Sequence, residues 1–377
     1  MTRKLRVLLV HNVYAPYRIP LFAELANHVH LDVLFCAGLG RDRIGWVAAN
    51  GLPFRHKFLR SLRVGPLVVN PGLWRELRAR EADVYLLADN QENSLSILLT
   101  VFFARWRRKA IVVWTENVPK SSCARDVFSS KYPNLISSVF ERVAAVYRNW
   151  LYRNADTFAS MSGASTDAYL VAAGVHPKCI FTGTQVMPSS LLPEVEVGAE
   201  WASYRPFLLY LGYFRPEKNV VSLVRAFRHS STDSFNLLLA GSGPEEVALR
   251  LAADGASNIR FIGFVDGERK AQLIMAAEAL VLPSLYEPWG MVVNESVHYG
   301  TPVLCSTAVA AAEILSSASS MLFADERELG HCLANFCGDN ARRQELRLGA
   351  AAVAEEAVSD PAYGIRHILN AVTAALN

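Results

Sequence analysis

Short apolar runs alternate with segments of helical periodicity along the whole chain. Continuous runs of Leu, Val and Ile, bounded by polar or small residues, are typical of strands buried on both faces of a parallel sheet. The pattern predicts ten strands, five in each half of the sequence: 6–12, 31–36, 83–88, 110–114, 157–160, 207–211, 235–240, 259–262, 279–283 and 302–305. Two series of alternating strands and helices predict an α/β protein with two doubly wound parallel-sheet domains.

A stretch without clear periodicity separates the two series. Between Met187 and Pro206 it contains three prolines and three glutamates among small residues, a composition typical of a linker. We therefore predict a Rossmann-like domain over 1–187, a linker over 188–206 and a second Rossmann-like domain over 207–377. Two such domains imply a cleft, because open α/β sheets bind ligands beyond the carboxyl ends of their strands.

Composition excludes several classes of protein. The chain has 377 residues, of which 51% are hydrophobic and 19% charged, so it can bury large cores and is not disordered. It contains no apolar stretch long enough for a spanning helix, and its first apolar run is too short for a signal peptide. The six cysteines form no C-x-x-C pair, which predicts reduced thiols in a cytoplasmic protein.

The net charge of +3 hides an asymmetry between the halves. Residues 1–185 contain 24 Lys and Arg against 13 Asp and Glu, a formal charge of +11, whereas residues 186–377 contain 14 against 22, a charge of −8. The segments 94–109 and 140–153 combine basic and aromatic residues, which suits a peripheral association with an anionic membrane, on its cytoplasmic face. The alternative for each segment is a packed helix with a solvated face.

The most informative segment lies at 281–303 and reads V-L-P-S-L-Y-E-P-W-G-M-V-V-N-E-S-V-H-Y-G-T-P-V. It predicts a buried strand, a loop, and a helix over about 291–299 that ends at Gly300 before Pro302. The start of such a helix presents free backbone N–H groups and a positive dipole end, which suit a diphosphate. Glu287 and Glu295 flank this start, and their carboxylates can accept hydrogen bonds from the hydroxyls of two sugar rings.

Glu287 and Glu295, within the frame P-S-x-x-E-P-W-G-x-x-x-x-E-x-x-x-x-G-T-P-V, resemble the E-x7-E motif of retaining glycosyltransferases of family 4, which have the GT-B fold. The resemblance implies two Rossmann-like domains facing a cleft and no cofactor beyond the co-substrate, UDP- or GDP-hexose. It implies transfer of the hexose, with retention of anomeric configuration, to a glycan, a lipid-linked acceptor or a small molecule. It also implies that Glu287 acts in catalysis by orienting the donor hexose and that Glu295 holds the ribose.

An upstream segment, F-L-L-Y-L-G-Y-F-R-P-E-K over 207–218, resembles the family's G-R-x-x-x-x-K, whose Arg and Lys hold the donor diphosphate. Lys218 matches the lysine, but Tyr213 stands where the family has arginine. We expect Arg215 to supply the missing charge. The alternative is that Arg215 faces solvent and that Lys218 acts with the helix dipole alone.

Further donor-site residues are predicted from the same resemblance. Val265 closes the segment 261–265, which resembles the part of the family that meets the nucleotide base, and the helix start adds Trp289, Gly290 and Met291. Gly241, in A-G-S-G-P over 240–244, is either a ligand contact or part of a tight turn before a helix.

The first half departs further from the family. Asn12 and Arg18 follow the first strand and are predicted cleft contacts; Arg18 either reaches a phosphate or coats the next helix. Many relatives have a histidine after the strand at 110–114, whereas this chain has Glu116. Glu116 is predicted to act in catalysis on the acceptor side, with a structural role as the alternative.

The chain contains no Asp-x-Asp, so we predict that no metal is needed and that protein groups stabilise the leaving diphosphate. A nicotinamide-dependent enzyme is disfavoured because no G-x-G-x-x-G follows the first strand. Nucleic-acid binding rests on the basic half alone and is not among the predicted partners. A non-catalytic, glycosyltransferase-like scaffold remains as the alternative, motivated by Tyr213 and the absent histidine.

Overall fold

The computed structural model describes residues 3–37, 51–120, 124, 135–230, 232, 234–356 and 360–376. The chain divides into two compact units. The first consists of Met1–Pro119, Pro133–Gln185 and Pro361–Asn377, and the second of Lys120–Tyr132 and Val186–Asp360.

The first unit contains a seven-stranded, all-parallel sheet in the order β3-β2-β1-β6-β7-β8-β9 and a small antiparallel pair, β4-β5. Its strands are β1 (Arg6–Val13), β2 (His30–Ala37), β3 (Arg55–Phe58), β4 (Leu62–Val64), β5 (Leu67–Val69), β6 (Val84–Ala88), β7 (Ala110–Thr115), β8 (Thr157–Ser160) and β9 (Ile180–Phe181). Its helices are α1 (Ile19–His28), α2 (Leu73–Arg78), α3 (Ser94–Trp106), α4 (Leu135–Arg153), α5 (Gly163–Ala172) and the last helix of the chain, Pro361–Ala374. Short 3₁₀ turns occur at Pro16–Arg18, Gln91–Asn93 and Pro177–Cys179.

The second unit contains a six-stranded parallel sheet in the order β12-β11-β10-β13-β14-β15. Its strands are β10 (Phe207–Leu211), β11 (Asn236–Ala240), β12 (Ile259–Gly263), β13 (Ala279–Leu282), β14 (Val303–Ser306) and β15 (Ser320–Phe323). Its helices are α6 (Ala199–Ala202), α7 (Val220–His229), α8 (Glu246–Ala253), α9 (Gly267–Ala276), α10 (Met291–His298), α11 (Glu326–Gly338) and α12 (Asn340–Glu356), so Pro361–Ala374 is α13. The 3₁₀ turns are Ser189–Leu191, Pro216–Lys218 and Ala310–Ile314.

All ten predicted strands are present, with ends shifted by at most one residue. Most of their apolar side chains are buried, as in the central strand β10, where Phe207, Leu208 and Leu209 are fully enclosed. Removing this apolar surface from water is the main stabilising term for both sheets. The prediction of two doubly wound parallel sheets is therefore confirmed.

The two units divide the chain differently from the predicted domains: Pro361–Asn377 is counted with the first unit and Lys120–Tyr132 with the second. The prediction ended the second domain at 377, whereas α13 belongs to the first unit. The reason is packing: Thr157 of β8 donates a hydrogen bond to the backbone oxygen of Ala371 at 2.8 Å. His367 of α13 lies against Gly183, where a Cβ atom would come within 2.1 Å of the imidazole.

In each sheet, the order in which the chain adds its strands reverses at one point. The central strand pairs are β1 with β6 in the first unit and β10 with β13 in the second. From each pair, later strands are added outward on opposite sides. The loops after the two central strands therefore lead to opposite faces of the sheet. This topological switch point is where open α/β sheets bind ligands.

Candidate functional site

The second unit's switch point is bordered by the loops that follow β10 and β13. After β10, Pro216 occupies the first position of the turn Pro216–Lys218, where its ring pre-sets the backbone for a helical turn. Asn219 then adopts a left-handed conformation, with φ of 54°, and α7 begins. This sharp reversal places Lys218 at the carboxyl edge of the sheet.

Lys218 and Glu287 are brought together at this edge. The Lys218 ammonium donates to Glu287 Oε2, and both side chains are largely buried. The loop that carries Glu287 is held on both sides, because its amide donates to the carbonyl of Ala308 at 3.3 Å and its carbonyl accepts from Ala310 at 3.1 Å. A carboxylate and an ammonium are thus fixed beside the switch point.

Gly290 sets the start of α10 directly after this loop. Its φ of 99° is strained for residues with a side chain, and a Cβ atom would lie 3.2 Å from Glu287 Cγ and 3.3 Å from Val309 Cγ1. Glycine therefore allows the loop to close tightly before the helix begins at Met291, as predicted. The first N–H groups of any helix lack intrahelical partners, and they carry the positive end of its dipole.

Glu295 lies inside α10 and faces α9. Its carboxylate is buried, with 6% of the residue exposed, and Lys270 Nζ donates to Oε1 at 3.0 Å. Burial raises the pKa of the Glu295 carboxyl, and the Lys270 ammonium acts in the opposite direction. Lys270 was not predicted as a site residue; its contact with Glu295 joins residues 25 positions apart.

Arg215 does not contact the Lys218–Glu287 pair through any hydrogen bond that the structure records. Its guanidinium lies over the ring of Tyr213, 5.2 Å from the ring centre, and 4.0 Å from Glu217 Oε1. Its side chain is about half exposed. Tyr213 is fixed in turn, because its backbone oxygen accepts from the buried Tyr210 hydroxyl at 2.9 Å.

The remaining predicted donor-site residues border this edge of the sheet. A Cβ atom on Gly241 would lie 1.9 Å from the Gly212 oxygen, so the loops after β10 and β11 approach closely only because this residue is glycine. Val265, after β12, is buried. The indole of Trp289 is also buried and donates to Asn294 Oδ1 at 2.8 Å, so its side chain braces the loop and is not presented to solvent.

In the first unit, the structure brings Arg18 and Glu116 together. Arg18 is buried, donates to Glu116 Oε1, and lies over the Trp114 ring at 4.8 Å from its centre. Burial disfavours the charge on Arg18, but Glu116 and Tyr17 together outweigh it, and the pKa of the guanidinium is raised. Gln185 donates to the second oxygen of Glu116 at 3.0 Å, so both carboxylate oxygens are occupied.

Two residues at the end of β1 support this pair. His11 is buried, with Nδ1 2.9 Å from the Val13 oxygen and Nε2 3.4 Å from Arg18 Nη1. Since the guanidinium can only donate, these contacts assign the proton to Nδ1. Asn12 lies beside them, and its side-chain oxygen accepts from the Val13 amide at 2.8 Å.

The sequence prediction missed a polar cluster centred on Asp89, which follows β6 at the first unit's switch point. Asp89 Oδ2 accepts from the hydroxyl of Tyr152 at 2.7 Å, from Asn117 Nδ2 at 2.7 Å and from Thr115 at 3.3 Å. Burial raises the pKa of the Asp89 carboxyl. The buried hydroxyl of Tyr147 has no hydrogen-bond partner. The signal for this cluster in the sequence is the position of Asp89, directly after a predicted strand.

Comparison with known proteins covers the second unit best. Residues 197–346 match the family described as "Glycosyl transferases group 1". This match includes Arg215, Lys218, Glu287 and Glu295, the charged residues of the second unit's site.

Two curated relatives illustrate the sequence similarity. The chain is 28% identical over 176 residues to O-antigen chain mannosyltransferase B of Escherichia coli, covering 44% of this chain and 45% of that protein. It is 27% identical over 201 residues to phosphatidyl-myo-inositol mannosyltransferase of Mycobacterium leprae, covering 52% of each. The chain thus spans about half the length of these relatives.

Similarity to solved structures extends over the whole fold. The Anabaena protein Alr3699/HepE, solved in complex with UDP and glucose, aligns with a TM-score of 0.72 at 14% identity, covering 97% of this chain and 99% of that one. The predicted fold class, GT-B architecture with two Rossmann-like parallel-sheet domains, is confirmed. Across the ranges that the structure describes, no helix is long and apolar enough to cross a membrane.

Proposed function

We propose that this protein is a retaining glycosyltransferase that moves a hexose from UDP- or GDP-hexose to a glycan, lipid-linked or small-molecule acceptor. One observation carries the proposal: Lys218 and Glu287 meet at the second unit's switch point, directly before the start of α10. The match of residues 197–346 to group 1 glycosyl transferases supports it. So do the activities for which the two mannosyltransferase relatives are named.

The donor diphosphate is assigned to Lys218, the first amides of α10 and Arg215. As the glycosidic bond breaks, negative charge grows on the leaving diphosphate, and preorganised cations and dipoles lower the barrier. In the structure Lys218 is bonded to Glu287. A diphosphate that takes over the ammonium leaves the Glu287 carboxylate to accept hydrogen bonds from the hexose hydroxyls.

The nucleoside is assigned to the neighbouring loops. Glu295 is proposed to hold the ribose, and Gly241 and Val265 to border the base, as the family resemblance implies. Gly241 contributes by the close approach of two loops, and the end of β12 lies next to it, since the Gly241 amide donates to the Gly263 oxygen at 2.8 Å. These positions share one edge of the second sheet.

Transfer with retention is proposed to proceed by attack of the acceptor on the same face of the sugar, without a protein nucleophile. The first unit is assigned to the acceptor. Arg18 and Gln185 each donate to one oxygen of Glu116 and fix the plane of its carboxylate. Its remaining lone pairs are proposed to orient groups on the acceptor side.

Metal independence is part of the proposal, because the sequence lacks Asp-x-Asp and the cationic groups above are placed to stabilise the diphosphate. We expect EDTA to leave the rate of transfer unchanged. Loss of transfer in EDTA that only a divalent ion restores would contradict this assignment.

Association with an anionic membrane is proposed for the first unit. On α3, Phe102 and Trp106 are 62% and 61% exposed, and the basic residues 105–109 surround Trp106. Exposed aromatics beside basic residues suit a membrane interface. The charge of +11 over residues 1–185 has the complementary sign to an anionic lipid surface.

Sedimentation with anionic and neutral vesicles at low and moderate salt tests the membrane assignment. We expect binding to anionic vesicles only, weakened by salt and by the double substitution Phe102→Ser/Trp106→Ser. The matched control is Leu251→Ser on α8, which removes an apolar side chain that is 74% exposed in the second unit. Equal binding to both vesicle types, or an equal effect of Leu251→Ser, would contradict it.

A thermal-shift panel of UDP-, GDP- and ADP-sugars is the central test of the function. Binding to the native state raises the melting temperature by mass action. The sugar nucleotide that shifts it is then offered with candidate acceptors, and the anomeric configuration of the product is read by NMR. A scaffold protein would neither transfer nor slowly hydrolyse any of the sugars, and an inverted product would contradict retention.

A further inference from the structure

The second half of the chain contains two lysines, and both contact the glutamates of the E-x7-E pair. Across residues 186–377 the only lysines are Lys218 and Lys270. Lys218 is bonded to Glu287, and Lys270 Nζ lies 3.0 Å from Glu295 Oε1. The other twelve cationic side chains of this half are arginines. The first lysine is explained by the proposed diphosphate site, whereas the second has no role in the proposed function.

Lys270 reaches Glu295 from a different strand-and-helix unit. It lies one turn into α9, the helix that follows β12, and α9 is capped by Asp266, whose side chain accepts from the Gly267 amide at 2.8 Å. Asp266 Oδ1 is also 3.8 Å from Lys270 Nζ. The ammonium is therefore held between two carboxylates at the carboxyl edge of the second sheet, with 22% of its side chain exposed.

The hydrogen bond between Lys270 and Glu295 can run in one direction only. An ammonium only donates hydrogen bonds and an ionised carboxylate only accepts them. Glu295 is buried, which favours its neutral form, and a neutral carboxyl would present one donor and lose part of its acceptor capacity. Lys270 bonded to Oε1 opposes this and fixes the plane of the carboxylate.

We propose that Lys270 is a positioning residue for the donor ribose: it holds Glu295 ionised and oriented to accept hydrogen bonds from the ribose 2′- and 3′-hydroxyls. The pair thereby makes the site select ribonucleotides over 2′-deoxyribonucleotides. This inference rests on the proposed function, because it requires a nucleotide at this edge. A purely structural ion pair between α9 and α10 would stabilise the unit without affecting that selection.

Calorimetry on the full chain with UDP, 2′-deoxy-UDP, GDP and 2′-deoxy-GDP tests the proposal. For the base that binds, we expect the wild-type protein to prefer the ribonucleotide by about tenfold or more, the scale of one hydrogen bond to a charged group. Lys270→Met should reduce this preference to within about twofold, while Lys270→Arg, which keeps a cationic donor, should retain most of it.

Arg269→Met is the matched control. It removes the cation next to Lys270 on the same helix, where Arg269 pairs with the half-exposed Glu200 at 2.7 Å. We expect its preference for the ribonucleotide to equal that of the wild type. Thermal melting of each variant separates loss of folding from loss of selection.

If Lys270→Met fails to fold, the double variant Lys270→Met/Glu295→Gln removes the buried charge together with its partner. It should fold and show the same reduced preference. A variant lacking Lys270 that still prefers the ribonucleotide tenfold would overturn this inference alone. A wild-type protein that binds none of the four nucleotides would overturn the proposed function instead.

Discussion

The two units share a strand order but have different chemistry at their switch points. Both sheets are parallel and share the order 3-2-1-4-5-6 for their first six strands. In the second unit, a lysine on a turn meets a carboxylate ahead of a helix start. In the first, an arginine is enclosed between a carboxylate and a tryptophan ring. Strand order fixes where a ligand can bind, and the loop residues decide what can bind there.

The choice of cation accounts for part of this difference. Lys218 is a point charge on a flexible stem, so it can be exchanged between a carboxylate and an incoming phosphate. Arg18 is planar, stacked and bonded to both Glu116 and His11, which leaves little freedom for such exchange. We therefore expect the two cation–carboxylate pairs to fail in different ways when the cation is removed.

Lys218→Ala should produce the largest effect. We expect kcat/KM to fall by about 10²–10³-fold, the scale of removing one stabilising donor from a transition state. The cost to the free energy of unfolding should be about 1–2 kcal/mol, because the pair is neither fully exposed nor fully buried. Steady-state kinetics and urea unfolding measure the two effects. The control, Arg225→Ala on the exposed surface of α7, should be silent; a Lys218→Ala enzyme within threefold of wild type would remove the lysine from the diphosphate site.

Arg215→Ala asks whether the second switch point uses a further cation. We expect kcat/KM to fall by about 10²-fold with little change in melting temperature. Tyr213→Phe should be nearly silent, since the ring on which the Arg215 guanidinium lies is kept. The reverse pattern, a silent Arg215→Ala and an impaired Tyr213→Phe, would show that the tyrosine hydroxyl had replaced the arginine of related enzymes.

Arg18→Met should instead act on stability. Removing one partner of a fully buried pair costs about 3–5 kcal/mol. Glu116 is 36% exposed and keeps its bond to Gln185, so we expect a loss of about 2 kcal/mol in the free energy of unfolding. Affinity for the nucleotide, measured by calorimetry, should stay within twofold. A large loss of nucleotide affinity in a stable Arg18→Met protein would erase the contrast between the two switch points.

Asp89→Asn should give the smallest effect and sharpen the contrast further. The variant keeps an acceptor oxygen for Tyr152, so we expect a change within about 1 kcal/mol at neutral pH. Because the pKa of Asp89 is raised in the folded state, the wild-type carboxyl favours folding most at low pH and loses that contribution as the pH rises through the folded pKa. Relative to wild type, Asp89→Asn should therefore gain stability in urea titrations as the pH rises from about 4 through the folded pKa of Asp89. A constant difference would show that Asp89 has an ordinary pKa.

Hydrophobic patterning predicted the central strands and the edge strand β12, and it missed the edge strands β3, β9 and β15. The ten predicted strands carry continuous apolar runs, whereas β3 reads R-H-K-F and β9 has two residues. β3 joins the sheet through its backbone, in parallel register with β2, and its Arg55 pairs with Asp32. Pairing of this kind depends on a neighbour already in place, so no local pattern signals it.

The charged residues of the candidate site also divide into those predicted from the sequence and those recognised only in the structure. Lys218, Glu287 and Glu295 lie within segments that resemble the family's motifs, and that resemblance is why they were predicted as site residues. Lys270 is a single lysine in an amphipathic helix, and it acquires significance only when α9 packs beside α10. The buried side chain of Trp289 was equally hidden, because a loop position between proline and glycine does not reveal that its indole bonds to Asn294.

The return of the chain to the first unit has a consequence for synthesis on the ribosome. The second unit is completed at Asp360, whereas the first requires Pro361–Asn377 to cover β8 and β9. Synthesis starts at the N-terminus, so the second unit is complete while the first still lacks α13. Domains usually mature in the order in which they are made, and here that order is reversed. A chain that stops before Pro361 would contain all of the second unit, whereas its first unit would lack the helix that packs on β8.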